Sequence, residues 1–330
     1  MRVLHLTNLY PSPRRPWFGT FIEEEVRALG PEVESEVVFV DGAAGKIEYA
    51  RGIARVRDLR GRFDLIHAHH GWCGLAALAA RSGVPIVLTL LGGDVFEREV
   101  RYKRLLARLV RAALPRFAAL IVRSPAMAAA LPPAIHPSVH IVPHGVDVDL
   151  FAPSDRRAAR AALGLDPERP QFLFACADND QSRREKRRDV AEAAVAALGE
   201  GRGALLEAAR TPHHLMPLYV NAATAVLLPS DYEGSPNIVK EALACERPVV
   251  AADVGDVRGL IEGLPGCSLA ERSGAAFAEA LRPLLADDLR AEGGRARLAE
   301  RGLTLAETGR RFRAVYEGVL ADGQAAAVRH

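Results

Sequence analysis

Glu233 and Glu241 stand eight positions apart in a stretch, residues 227–250, that reads as strand, loop, helix and strand. Ser235 can cap the helix with Pro236 at its first position, and Pro248 ends it before the next strand. Loop and helix then leave the carboxyl end of a sheet, where open α/β sheets bind ligands. The free amides of Asn237 and Ile238 lie at the positive end of that helix, a place suited to a diphosphate. Glu241, just over one turn further in, can accept two ribose hydroxyls. Glu233, with Gly234 behind it, projects toward whatever is attached beyond the phosphates. Taken alone, such glutamates are ordinarily solvated surface charges.

Three other groups could carry chemistry. Residues 178–189 hold Arg183, Arg184 and Lys186, a run that by itself reads as a solvated helix start. His67, His69 and His70 follow a strand with no acidic partner near them in sequence, and read as hydrogen-bonded structure with no metal. A basic helix near 98–116 carries Leu105, Leu109 and Ala112 as one stripe. It packs by that stripe as a surface helix, or rests on an anionic bilayer or acceptor.

The elements that position these residues alternate from the start. Apolar, β-branched runs near 2–6, 36–40, 64–68, 84–90, 118–122 and 139–142 are separated by helical stretches, the pattern of a parallel sheet buried on both faces. The segment 143–153, with a Gly, two Pro and two Asp, breaks the pattern and reads as a connector. Strands near 171–176, 203–208, 224–228, 248–252 and 266–268 then repeat the alternation. The expected domains are 1–146, 147–302, and a terminal amphipathic helix, 303–330, packed on the first.

Composition narrows the classes. The 330 residues are 49% hydrophobic and 25% charged with a net charge of +2, so no global basic field marks a nucleic-acid binder. Four scattered cysteines without CxxC spacing read as buried thiols. No run of eighteen apolar residues and no leader is evident, so the chain is expected in the cytoplasm, with peripheral contact at the inner membrane face through the basic helix as an option.

The Glu-x7-Glu spacing, the Pro in the helix start, and Ala242-Leu243-Ala244-Cys245 before Pro248 resemble the signature of family-four retaining glycosyltransferases of the GT-B fold. The segment Pro143-His144-Gly145-Val146-Asp147 with Phe151 resembles that family's linker, and Pro13–Phe21 resembles its first loop, with Gly19 where the backbone approaches donor phosphates. Lys186 matches the family's diphosphate lysine. The arginine five or six residues earlier is replaced by Asp180 or Gln181, which leaves that role to Arg183 or Arg184. Thr89–Asp94 resembles a turn near the reacting sugar, with Leu91 in place of a histidine; Asp94 and His144 remain polar candidates facing a cleft.

The resemblance implies two Rossmann-like, doubly wound α/β domains facing each other across a cleft. It implies transfer from a UDP- or GDP-sugar with retention, without cofactor or metal, to a glycan, lipid-linked or small-molecule acceptor. In that family the departing phosphate can take the acceptor's proton, so no protein base is required. Two alternatives stay open: a GT-B nucleotide-sugar epimerase and a non-catalytic nucleotide-sugar-binding protein. The sequence leaves the oligomeric state undetermined.

Overall fold

The computed structural model describes residues 1–91, 101–176, 180–286 and 289–328. They divide into two compact units, one made of Met1–Pro13, Phe18–His144 and Ala306–His330, the other of Arg14–Trp17 and Gly145–Leu305.

In the first unit, β1 (Arg2–Thr7), α1 (Thr20–Ala28), β2 (Glu34–Phe39), α2 (Ile47–Asp58), β3 (Leu65–His69), α3 (Gly71–Ala80), β4 (Ile86–Thr89), α4 (Arg101–Ala113), β5 (Ala119–Val122), α5 (Pro125–Ala129) and β6 (Val139–Ile141) follow in order. All six strands are parallel, in the order β2-β1-β3-β4-β5-β6. Strands β3, β4 and β5 are buried along their whole length, which is why they read as unbroken apolar runs rather than alternating ones.

The second unit runs α6 (Arg156–Ala162), β7 (Gln171–Ala175), α7 (Asp180–Glu185), α8 (Arg188–Ala197), β8 (Ala204–Ala208), α9 (Met216–Ala222), β9 (Ala225–Leu228), α10 (Asn237–Ala244), β10 (Val249–Ala251), α11 (Val257–Ile261), β11 (Ser268–Leu269), α12 (Gly274–Leu281) and α13 (Gly294–Glu300). Its sheet is parallel, in the order β11-β10-β9-β7-β8. Each sheet grows outward in both directions from its first strand. The switch points lie between β1 and β3 and between β7 and β9, where doubly wound sheets open a ligand crevice at the strands' carboxyl ends.

The last helix, α14 (Leu305–Val328), belongs to the first unit. Its Phe312, Val315, Tyr316 and Val319 close a core with Val3, Leu29, Leu65, Val87 and Ile121. The chain leaves the first unit at His144, two residues earlier than the sequence suggests, and returns at Ala306. The reason is local: Val146 N–H donates to Leu303 at 2.9 Å and Leu305 N–H donates to Val146 at 2.8 Å, so both passages are zipped into the second unit. Arg14–Trp17 also falls in that unit, with the Arg210 guanidinium 5.9 Å above the Trp17 ring.

Helix α6 is absent from the sequence reading. Asp155 caps it by accepting from Ala158 N–H at 2.7 Å, and Arg160, almost fully buried, ties it down by donating to Ala222, Pro167 and Thr224. A helix held by a buried guanidinium shows no apolar stripe to read. The stripe of α4 is also rotated from expectation. Val110 and Ala113 are buried, while Leu109 is 47% exposed between exposed Arg108 and Arg111. Cys73 and Cys245 are buried thiols, but Cys176 and Cys267 are only partly so. Among the described residues no helix is long and apolar enough to cross a membrane.

Candidate functional site

The carboxyl ends of β7 and β9, the two strands at the second switch point, bring the acidic and basic candidates together. Helix α7 ends just before Lys186, and Asp231 N–H donates to Glu185 at 3.0 Å, fastening the loop after β9 to the end of α7. That strap places the Lys186 ammonium in a close ion pair with Glu233 Oε1. The Glu233 side chain is 12% exposed and that of Lys186 32%, so the pair is partly shielded from water. Gly234 accepts from Asp256 N–H at 3.1 Å, which pins the loop from the other side.

Helix α10 opens directly after this loop. Pro236, with φ −69° and ψ 124°, is its N-cap, and no side chain caps it. The sequence expectation of Ser235 as cap and Pro236 as first helical residue is corrected by one position. Ser235 Oγ is buried without a hydrogen-bond partner, and Asn237 and Ile238 are the first two helical residues. Their amides are among the four that an α-helix cannot satisfy internally, so the site holds free donors at the positive end of the dipole. Glu241, 9% exposed, lies further along α10 with Oε1 3.6 Å from His213 Nε2. His213 in turn packs against the Phe151 ring at 5.4 Å.

His213 is the functional candidate that sequence reasoning missed. It stands 28 positions before Glu241, after Pro212 and beyond the carboxyl end of β8, and only the fold brings the two together. The arginines divide. Arg183 lies 3.6 Å from Glu207, which also holds Arg188 at 2.9 Å, and Arg184 is exposed.

In the first unit, Gly19 caps α1 with φ 71° and ψ 21°. A Cβ there would stand 2.3 Å from the Leu9 carbonyl carbon, so the first loop folds back on itself only with glycine. His144, expected to face a cleft, is 8% exposed and donates from Nδ1 to Glu25 Oε1 at 2.9 Å. Arg123 grips both oxygens of the same carboxylate at 2.8 and 2.9 Å. Burial alone would push the Glu25 carboxyl up, but Arg123 and His144 outweigh it and bring it down to about 2. His144 is therefore a brace between α1 and the exit of β6. Asp94 lies outside the described residues.

The histidines of β3 have an acidic neighbour brought from far off in sequence: Glu25 Oε2 is 4.0 Å from His69 Nδ1. A third imidazole, His5 from the paired strand β1, completes a buried cluster of His5, His67 and His69 with metal-like spacing. Five of its six ring nitrogens have hydrogen-bond partners, and His69 Nδ1, buried, has none. His5 Nδ1 meets His69 Nε2 at 3.2 Å, and His67 meets Tyr316 Oη and Thr89 Oγ1, each at 2.6 Å. Burial pushes His5 down to about 3 and His67 and His69 well below the ordinary range. These are neutral imidazoles linking β1, β3, β4 and α14.

Two parallel, doubly wound units, one carrying a helix start, a lysine–glutamate pair and a second glutamate at its switch point, define a GT-B architecture. Solved structures agree on the fold. Sucrose-phosphate synthase from Thermosynechococcus elongatus superposes with a TM-score of 0.70 at 17% identity, covering 97% of this chain and 99% of that one. Anabaena HepE in complex with UDP-glucose gives 0.73 at 15% identity, covering 96% and 100%.

The sequence matches Glycosyltransferase Family 4 over residues 15–150 and Glycosyl transferases group 1 over residues 180–287. It is 30% identical to D-inositol 3-phosphate glycosyltransferase 1 of Catenulispora acidiphila, across 84% of this chain and 77% of that protein. It is 24% identical to a putative teichuronic acid biosynthesis glycosyltransferase, TuaC, of Bacillus subtilis, across 88% and 92%. The chain belongs to this family of glycosyltransferases.

Proposed function

We propose that the chain transfers a glycosyl unit, with retention, from a UDP- or GDP-sugar to a hydroxyl of an acceptor whose first contacts lie in the first unit. The observation that carries this reading is the convergence of Lys186, Glu233 and the open start of α10 on one switch point, with Glu241 and His213 beyond it. The bond from the anomeric carbon to the diphosphate oxygen breaks, charge develops on the diphosphate, and the acceptor oxygen takes its place while its proton goes to the departing phosphate. Lys186 and the amides of Asn237 and Ile238 stabilise that charge, with Arg183 and Arg184 near enough in sequence to assist. Glu241 holds the ribose and Glu233 the donor sugar, so Glu233 exchanges its Lys186 contact for sugar hydroxyls when donor enters. The outward face of α4, with Leu109 between Arg108 and Arg111, suits an anionic headgroup.

Incubation with labelled UDP- and GDP-sugars, followed by NMR of the product anomer, tests the reading. Transfer or slow donor hydrolysis is expected, with the donor's configuration kept and activity undiminished by EDTA, because protein cations and the helix start supply the charge. Release of an isomerised sugar without acceptor would identify an epimerase; binding without turnover would identify a binding protein. Loss of activity on chelation, restored by a divalent ion, would overturn the metal-independent form.

A further inference from the structure

At the amino ends of β4 and β5, the end of the first sheet opposite the crevice where such sheets take their substrates, lies a cavity of about 460 Å³. That volume is in the range of small-molecule sites. Leu78 of α3, Val84, and the buried Ile86 and Phe117 give it an apolar lining, and Arg81 and Arg116 stand exposed at its rim. Among the described residues neither guanidinium has an ion-pair or hydrogen-bond partner. The chain carries 41 acidic residues against 43 basic ones, so two unpaired guanidiniums at one cavity are a local excess of positive charge.

The turn that ends α3 shapes this cavity. Arg81 caps the helix in the left-handed region, with φ 51° and ψ 47°, and Gly83 follows with φ 86°. Arg60 holds that turn by donating from Nη2 to the carbonyls of Arg81 and Ala80, the latter at 3.2 Å, and Arg57 donates to the Ala79 carbonyl at 2.9 Å. These bonds cover the carbonyls at the negative end of α3, which would otherwise repel an anion. Among the described residues no protein acceptor takes the backbone N–H of Ser82, Gly83 or Val84, all of which line the cavity. A Cβ on Gly83 would meet nothing within 4 Å, so the rim is open at that point.

We propose that this cavity is a second ligand site, for a small soluble organic anion with an apolar body of a few carbons and one phosphate or carboxylate. The body covers Leu78, Ile86 and Phe117, and the anionic head meets Arg81, Arg116 and the open amides of the turn. A nucleotide sugar is polar along its whole length and would leave the apolar lining uncovered. A bilayer is disfavoured as the occupant, because none of the large apolar side chains that the first unit exposes, Ile47, Trp72, Leu109 and Ile141, lines the cavity to enter the lipid. The site shares no residue with the donor site, so the inference stands apart from the glycosyltransfer reading.

Calorimetric titration of the full-length protein with hexyl phosphate, in the absence and presence of saturating UDP or GDP, tests the site. One saturable site is expected, with the same affinity in both conditions. Inorganic phosphate, which lacks the apolar body, and hexanol, which lacks the charge, are each expected to bind at least about tenfold more weakly. Arg81→Asn combined with Arg116→Gln weakens hexyl phosphate by about tenfold and leaves circular dichroism and the thermal midpoint of the free protein little changed, since both side chains are exposed and asparagine tolerates the left-handed backbone. Displacement by either nucleotide, equal affinity for phosphate or for hexanol, no saturable binding of hexyl phosphate, or parental affinity in the double variant would each overturn the site. Sedimentation with anionic phosphatidylglycerol vesicles that the double variant loses, without binding of free hexyl phosphate, would give the two arginines to a membrane face and overturn the soluble ligand.

Discussion

At the scale of single residues, the second unit holds an anion and a cation that partner one another before any ligand arrives. In the proposed reading the two exchange partners when donor enters, Lys186 meeting the diphosphate and Glu233 accepting from sugar hydroxyls. Glu241 differs, since it is nearly buried and its recorded neighbour is the His213 ring. A buried carboxylate that accepts charge-assisted bonds from ribose hydroxyls contributes more than an exposed one. Glu241→Ala is therefore expected to weaken UDP or GDP binding by about 1.5–3 kcal/mol with the thermal midpoint of the free protein little changed. Calorimetric titration checks it, and a variant that binds both nucleotides as the parent does removes Glu241 from the ribose. Lys186→Met should lower turnover by about 10²–10³ through loss of the side-chain cation from the departing diphosphate, measured at saturating donor. The signature glutamates and Lys186 were legible because they sit in one short motif and one charge run. His213 was not, because its relation to Glu241 is made by a sheet rather than by spacing. The brace that His144 makes with Glu25, 119 residues away in sequence, is likewise made by the fold.

Secondary-structure elements explain how such placements are enforced. The loop bearing Glu233 and Gly234 is held from behind by the turn before α11, where Gly255 has φ 56°. A Cβ on Gly255 would come within 2.2 Å of the Gly234 carbonyl oxygen and 2.8 Å of that of Glu233. Neither backbone atom can yield without moving the loop. Gly255→Ala is thus expected to lower transfer at least tenfold, about 1.4 kcal/mol in the transition state, while the sheet folds normally by circular dichroism. Full activity would show the loop to be more compliant than its packing implies. The terminal helix is an element of a different kind, since it completes the core of a unit that the chain left at His144 and rejoins at Ala306. Tyr316 is fully buried there and bonds His67. Tyr316→Ala should destabilise the first unit by about 3–5 kcal/mol through the cavity and the orphaned imidazole, and Tyr316→Phe by about 1–3 kcal/mol, both measured by urea unfolding. Strands and long helices were legible because their apolar runs and alternation are local properties. The start of α10 was displaced by one residue because a proline with extended ψ serves as N-cap as readily as it serves the first helical position.

For the whole molecule, the two units differ in what acid does to them. The first unit buries three neutral imidazoles in one cluster, with His5 held down to about 3 from 6.5 and His67 and His69 pushed well below 6.5. Unfolding releases all three to titrate near 6.5, so below that pH the unfolded chain binds more protons than the folded one. Stability that is complete above about 6.5 is therefore lost as pH falls toward 3, at up to about 1.4 kcal/mol per pH unit for each imidazole. Glu25, brought down to about 2 in the fold, adds a loss in the same direction below about 4.5. The second unit buries no comparable group of histidines among the described residues. Acidification from pH 7 to 5 is accordingly expected to destabilise the first unit selectively. Trp72 reports that unit and Trp17 the other, so single-tryptophan variants, Trp17→Phe and Trp72→Phe, allow each to be followed by fluorescence during urea unfolding. The midpoint seen through Trp72 should fall steeply between pH 6.5 and 5 while that seen through Trp17 changes little. Saturating UDP or GDP should raise the Trp17 midpoint, because a ligand held only by the folded state stabilises it by mass action. Equal acid sensitivity of the two midpoints, or a flat Trp72 response across that range, would mean that the imidazole cluster takes up protons without unfolding, and the neutral-cluster account would fail.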